Sequence, residues 1–341
     1  MSRPFGLRDI AIIKQLQQQG VAFDLRRLLL YTSTPIYSAV LGYITRHHMG
    51  AITRIHEGPQ GGELDGFVQV WPGVDPQNWD LAFLSPSLDG QREAPDIWRH
   101  LLTDLTIHGA EHGILRIYAH APEHADMEDI LHHVGFTRVT REEVFVLTQQ
   151  PAAVPLPKGL RRVSRGDQWM LNELYRQVTP PLVQQAEGPA PHWQVMPHRA
   201  LEEFIWPEED KAIAALRLCA SSKGYWLDVM VRPENRADIL PHIQHVLTLA
   251  ECSASKPVYC PLADYCVGLG WLLRTLGFES FRRQVLLVAH TVSRVPARRQ
   301  LVIPGLERGV DVGTTIGHLS SDLAKEADLS TCESHSGKIW H

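Results

Sequence analysis

The chain lacks any apolar run of membrane-spanning length. Its longest, such as Leu28-Leu29-Leu30-Tyr31 and Val285-Leu286-Leu287-Val288-Ala289, are strand-sized, against the roughly 20 residues a spanning helix needs. It also lacks a basic tract: 33 Lys and Arg stand against 38 Asp and Glu, a formal charge of -5, so neither nucleic acid nor a membrane surface is an expected partner. Cysteine is scarce and odd in number. Cys219, Cys252, Cys260, Cys266 and Cys332 include no C-x-x-C pair, which argues for free thiols and against a disulfide frame or zinc knuckle. H-E-x-x-H, G-x-S-x-G, the P-loop and the dinucleotide fingerprint are missing too. His108 and His112, and His120 and His124, stand four apart, but neither pair has an evident third ligand. With 18 histidines such pairs arise by chance, so no metal site is expected. The opening Met1-Ser2-Arg3-Pro4-Phe5-Gly6 holds no apolar signal core, and a cytoplasmic chain is expected.

What is there is a repeat. Leu131-His132-His133-Val134-Gly135-Phe136 and Leu273-Arg274-Thr275-Leu276-Gly277-Phe278 each read as a helix stopped by glycine and released into an apolar strand, Val144-Phe145-Val146-Leu147 and Leu286-Leu287-Val288. Upstream of each lies a strand opened by Trp and closed by Pro at one interval, Trp79 to Pro86 and Trp226 to Pro233. An amphipathic helix follows each strand. Its buried face is Ile97, Leu101, Leu102 and Leu105 in the first copy, and Ile239, Ile243, Val246, Leu247 and Ala250 in the second. A short strand comes next, Ile114-Leu115-Arg116-Ile117-Tyr118 or Val258-Tyr259-Cys260, before the helix that ends at Gly-Phe. Strand, helix, strand, helix, strand, twice over, is a duplicated α+β domain.

The 341 residues have room for two such cores. The expected division is a first domain at 1–148, a linker at 149–158 carrying Pro151, Pro155 and Pro157, a second domain at 159–295, and a loosely ordered tail at 296–341. Within the first domain, residues 7–19 read as a helix, and 23–40 as an apolar segment broken at Thr32-Ser33-Thr34-Pro35. Residues 49–55 and 66–71 read as paired strands around a Gly-rich turn. The second domain opens with Leu160-Arg161-Arg162-Val163, then Asp167 at the N-cap of a helix over Gln168–Val178. The Pro-rich stretch 188–198, with Trp193 and two histidines, is a candidate lid or an ordered loop. Residues 211–220 and 224–231 read as adjacent strands.

Val231-Arg232-Pro233-Glu234-Asn235-Arg236 resembles the V-x-P-E-x-R end of the central strand in the GNAT superfamily of acyl-CoA-dependent N-acetyltransferases. Leu276-Gly277-Phe278 is similar to that family's closing L-G-F, and Leu160-Arg161-Arg162-Val163 with Asp167 to its first strand and helix. The resemblance spans 159–292 and, more loosely, the first copy. It implies two tandem acetyltransferase-like domains, each a mixed, mostly antiparallel sheet flanked by helices, with acetyl-CoA as co-substrate. The pantetheine arm would pair with the central strand at Met230 and Val231, the pyrophosphate would lie at Asn235, Arg236, Ala237 and Asp238, and the acceptor would be the amine of a small molecule or peptide.

The departures are specific. The two glycine positions after Arg236 hold Ile239 and Pro241, and Pro241 has no N–H to offer. Asp238 adds negative charge beside a phosphate site, and in the first copy Asp89 stands where the Arg is expected. The thiolate-protonating Tyr position falls on Leu131 and Leu273. Tyr265 is then the candidate acid and Asp228 the candidate base, while Trp193, Tyr225 and Trp226 are candidate walls of an acceptor pocket. A rival expectation is a catalytically inactive tandem module that binds a ligand or partner. A third, a structural scaffold, predicts no small-molecule pocket.

Overall fold

The computed structural model describes residues 2–31, 33–47, 49–58, 64–73, 75–89, 92–188 and 200–291. The tail at 296–341, Cys332, Trp193 and most of the Gly-rich turn and Pro-rich stretch lie outside these residues.

The first half runs β1 (Ser2–Pro4), α1 (Ile10–Leu16), β2 (Val21–Ala22), α2 (Leu25–Leu30), α3 (Pro35–Ile44), β3 (Ile52–Glu57), β4 (Leu64–Pro72), β5 (Asn78–Ser85), α4 (Ala94–Glu111), β6 (Arg116–Pro122), α5 (Ala125–His133) and β7 (Phe136–Leu147). The second runs β8 (Arg161–Arg162), α6 (Gln168–Val178), α7 (Pro181–Glu187), β9 (Ala200–Glu208), β10 (Lys211–Ala220), β11 (Tyr225–Val231), α8 (Leu240–Leu247), β12 (Val258–Ala263), α9 (Leu269–Thr275) and β13 (Glu279–His290). No helix among the described residues is long and apolar enough to cross a membrane.

Local chemistry sets the element ends. Gly135 and Gly277 have φ of 97° and 91°, the left-handed conformation that ends α5 and α9 without a Cβ clash. Phe136 and Phe278 follow directly and are buried; each contributes about 1.5–3 kcal/mol of transfer free energy. The two halves also open alike. Arg3 grips Asp9 with both guanidinium nitrogens at 2.7 and 2.8 Å, and Arg161 grips Asp167 at 2.6 and 2.7 Å. The Gly6 and Ser164 amides complete the two carboxylate sites.

The thirteen strands of the described residues form one sheet, and its centre is where the halves interlock. β13 sits between β6 and β7, and β7 sits between β13 and β12. Each copy's last strand therefore completes the other copy's sheet. The expected linker is an irregular connection between β7 and β8, and residues 1–294 form one compact unit. α4 and α5 cover one core, with Trp98, Leu101, Leu102 and Leu131 buried against Leu81, Leu84 and Leu287. α8 and α9 cover the equivalent core, with Ile239, Ile243, Val246 and Leu273 against Leu216, Leu227 and Val231.

One expected match is displaced. Trp79 and Trp226 lie at equal distances from their prolines, yet Trp79 faces the α4 core and Trp226 faces the opposite side, against Leu25 and Leu30. The cause is a β-bulge at Ala82, which leaves that residue without a partner between Gln69↔Phe83 and Val70↔Leu81. The extra residue reverses the faces before it. Asp80, rather than Leu81, then takes the place that Asp228 holds in the second half.

Candidate active site

In each half two parallel strands pair briefly and then part. β5 pairs with β6 only through Asn78–Asp80 and Arg116–Tyr118, and β11 pairs with β12 only at Tyr225 and Trp226. Beyond those residues each central strand has a free edge, and the halves treat it differently.

In the first half the edge is filled from within. β2 pairs with β5 at Leu84 and Phe83, the Phe23 amide donates to the Ala82 carbonyl at 2.9 Å, and the Ser87 amide donates to the Gln19 carbonyl. β4 already occupies the other side of Phe83 and Leu84, so residues 19–23 lie in the gap that β6 leaves. The fit is close. A Cβ on Gly20 would overlap the Phe83 ring and stand 2.8 Å from the Leu84 carbonyl oxygen.

In the second half no strand pairs with the edge at Asp228–Val231 among the described residues. It borders a cavity of about 420 Å³ that also reaches Asp80, Leu81 and His120 of the first half. Trp226 Nε1 donates to Asp228 Oδ1 at 2.9 Å and so orients that carboxylate at the wall. Tyr265, in the β12–α9 connection, is half-buried with its hydroxyl engaged by Thr179; burial, with the nearby Cys266 and Glu187, pushes its pKa well above the ordinary phenol value. It keeps its proton at neutral pH. Burial likewise pushes the neighbouring Cys266 thiol up to about 11, against the opposing charge of Arg236, so it is no nucleophile at neutral pH.

The far wall belongs to both halves. The buried Glu187, at the end of α7, accepts a hydrogen bond from Tyr175 at 2.6 Å, while its backbone carbonyl accepts one from Tyr118 of β6 at 2.7 Å. At the centre of the sheet Gln284 donates to Glu142 at 2.7 Å, and Glu142 pairs with His120 at 3.2 Å. Burial opposes the charged imidazole, but Glu142 outweighs it and lifts His120 to about 9. Arg26 lies 5.2 Å from the centre of the Trp226 ring. Sequence reasoning missed His120, Glu142, Glu187 and Asp80. One signal was available: Glu142 and Gln284 stand at the same distance past Phe136 and Phe278, and they pair with each other.

Of the residues expected at a cofactor, Met230, Val231 and Arg236 border the cavity together with Asp228 and Tyr265. Asn235, Ala237 and Asp238 do not; Pro233–Ile239 is a 3-10 turn that leaves Ala237 and Asp238 exposed. The Arg236 guanidinium reaches across to the Val267 and Tyr265 carbonyls at 2.9 and 3.2 Å, and its Nε is buried without a partner. Ile239 fills its glycine position as a core residue, and Pro241 lies in the first turn of α8. Leu131 and Leu273 are both buried in the cores. Trp226 walls the cavity, whereas Tyr225 is packed in the second core.

No protein-family model and no curated protein matches the sequence. Solved structures do match. A GCN5-related N-acetyltransferase from Sphaerobacter thermophilus superposes with a TM-score of 0.50 over 85% of this chain and 95% of its own, at 16% identity. The fold is that of the GNAT N-acetyltransferases, in tandem. A tandem GNAT protein from the clavulanic acid biosynthesis pathway is also similar, at 12% identity over 86% of this chain and 98% of its own, with a TM-score of 0.45. At these identities the likeness describes the fold alone. In this GNAT fold the parted strands form a cleft in each copy, and here the first cleft is filled by residues 19–23.

Proposed function

We propose that the second half is an N-acyltransferase that moves an acetyl or other acyl group from acyl-CoA to the amine of a small molecule or peptide. The observation that carries the reading is the free edge at Asp228–Val231 beside the cavity, set against the filled edge of the first half. A pantetheine arm pairs with such an edge as an added strand would. Arg236, at the cavity border, meets the diphosphate. The first half supplies no second cofactor site and instead walls the acceptor end.

The chemistry follows from the side chains. An acceptor arriving as an ammonium gives one proton to the Asp228 carboxylate, and the freed lone pair attacks the thioester carbonyl carbon. The new C–N bond forms, the C–S bond breaks, and the leaving thiolate takes the Tyr265 proton. The second amine proton leaves to solvent. The products are an amide and CoA thiol.

A second reading, a ligand-binding module without transferase activity, is favoured by one observation: Arg236 is held by the Tyr265 and Val267 carbonyls. Titration calorimetry with acetyl-CoA, followed by a thiol-release assay with a panel of amines, separates the two. The transferase reading expects saturable binding, weakened at least tenfold in Arg236→Glu, and amine-dependent thiol release. No binding of acetyl-CoA, longer acyl-CoAs or free CoA leaves the module. The scaffold reading predicted no pocket, and the cavity counts against it.

A further inference from the structure

The last turn of α4 and the C-cap residue that follows it carry three metal-ligating side chains that the proposed reaction does not use. His108, Glu111 and His112 fall on one helical face, and a ligand atom of each lies within 4.8 Å of the other two. None of them borders the cavity. The third donor that the His108 and His112 spacing did not reveal is Glu111, whose Oε2 is 4.0 Å from His108 Nδ1.

We propose that this cluster binds one divalent transition ion of the Zn2+ or Ni2+ class, through two imidazoles and a carboxylate with water completing the shell. The donors are prepared for it. His112 Nδ1 is 2.8 Å from the His108 carbonyl oxygen. A carbonyl only accepts, so Nδ1 carries the hydrogen, and Nε2 keeps its lone pair for a metal. The two rings lie 4.1 Å apart, centre to centre.

The helix end is also held in place. His108 packs on Trp79 at 5.9 Å between ring centres, and Gly109 lies so close to Trp79 that a Cβ there would meet the indole at 3.2 Å. α4 is 18 residues long, and the partial negative charge at its C-terminus favours a cation. Arg54 opposes an ion through space, but its guanidinium is turned to Ser2, at 2.9 Å from the hydroxyl, and does not occupy the site.

The test is titration calorimetry of the full chain with ZnCl2 and with NiCl2, beside thermal unfolding with and without each ion. The expected result is one ion per chain, with affinity falling at least about tenfold in His112→Ala and in His108→Ala and less in Glu111→Gln. Saturating metal raises Tm in the parent and not in His112→Ala. His112 is exposed, so its variant keeps the fold and the comparison stands. Binding that is unchanged in His112→Ala places the ion elsewhere among the histidines and thiols and overturns the proposal. So does no binding at millimolar ion.

Discussion

The two halves share a strand order, an Arg–carboxylate grip at their openings and a cleft between parted parallel strands, yet among the described residues only the second leaves that cleft free. In the first, residues 19–23 run along β5 and use the backbone groups that a strand-like ligand would need. The chain leaving that plug becomes α2, whose Leu25 and Leu30 pack on Trp226 and Tyr259 of the second half. Filling the first cleft and walling the second are therefore done by one continuous segment.

The largest expected effect separates the halves by chemistry. Tyr265→Phe should lower turnover by about 10²-fold or more, the range for removing a positioned general acid, with acetyl-CoA affinity unchanged. His124, two residues past β6 as Tyr265 is two residues past β12, is exposed, and His124→Phe should leave both quantities alone. Steady-state kinetics on the two variants checks this, and equal losses would erase the distinction between the copies.

Stability sharpens the comparison from the other side, since here the halves should behave alike. Asp9→Ala and Asp167→Ala each remove a buried acceptor of several hydrogen bonds and should cost about 1–3 kcal/mol in denaturant unfolding. Each should shift one cooperative transition, because β7 and β13 tie the two halves into one sheet. The Arg partners, chiefly through their hydrogen bonds, hold both carboxyl groups below the usual Asp range. Their contribution is therefore complete above the unfolded value of about 4 and is lost as pH falls through the lower folded values.

Gly20→Ala probes the plug. Its Cβ has no room against Phe83 and Leu84, and overpacking of this kind costs about 1–3 kcal/mol. Thermal unfolding should show that loss while calorimetry shows acetyl-CoA binding at the second half unchanged. The smallest effect belongs to His120 at the join. Its pKa, raised to about 9 by Glu142, makes its contribution complete below the unfolded value of about 6.5 and lost as pH rises to the folded one. The fall in Tm between those values should flatten in His120→Gln.

The legible part of this architecture was the part written in short-range chemistry. Gly135 and Gly277 marked two helix ends, the apolar face of α4 announced its packing, and α6 begins and ends where its sequence pattern says. Asp228, Tyr265, Met230, Val231 and Arg236 were named as a site and lie at one cavity. What was hidden depends on distant partners or on a single residue. The exchange of β7 and β13 leaves no local signature, because either strand reads the same beside either neighbour. The bulge at Ala82 reverses a face while the Trp-to-Pro interval stays the same in both copies. β2 is two residues long and gains its meaning only from the edge it covers, and the direction of Arg236 is decided by carbonyls more than 25 positions away.

Hydrogen–deuterium exchange with and without acetyl-CoA tests the central claim most directly, because it reads the two strand edges side by side. Amides across 82–87 should be protected in the free protein and unchanged by the ligand, while amides across 228–231 should exchange faster when free and slow on binding. Ligand-dependent protection at 82–87, or two edges that exchange alike in the free protein, would contradict the account.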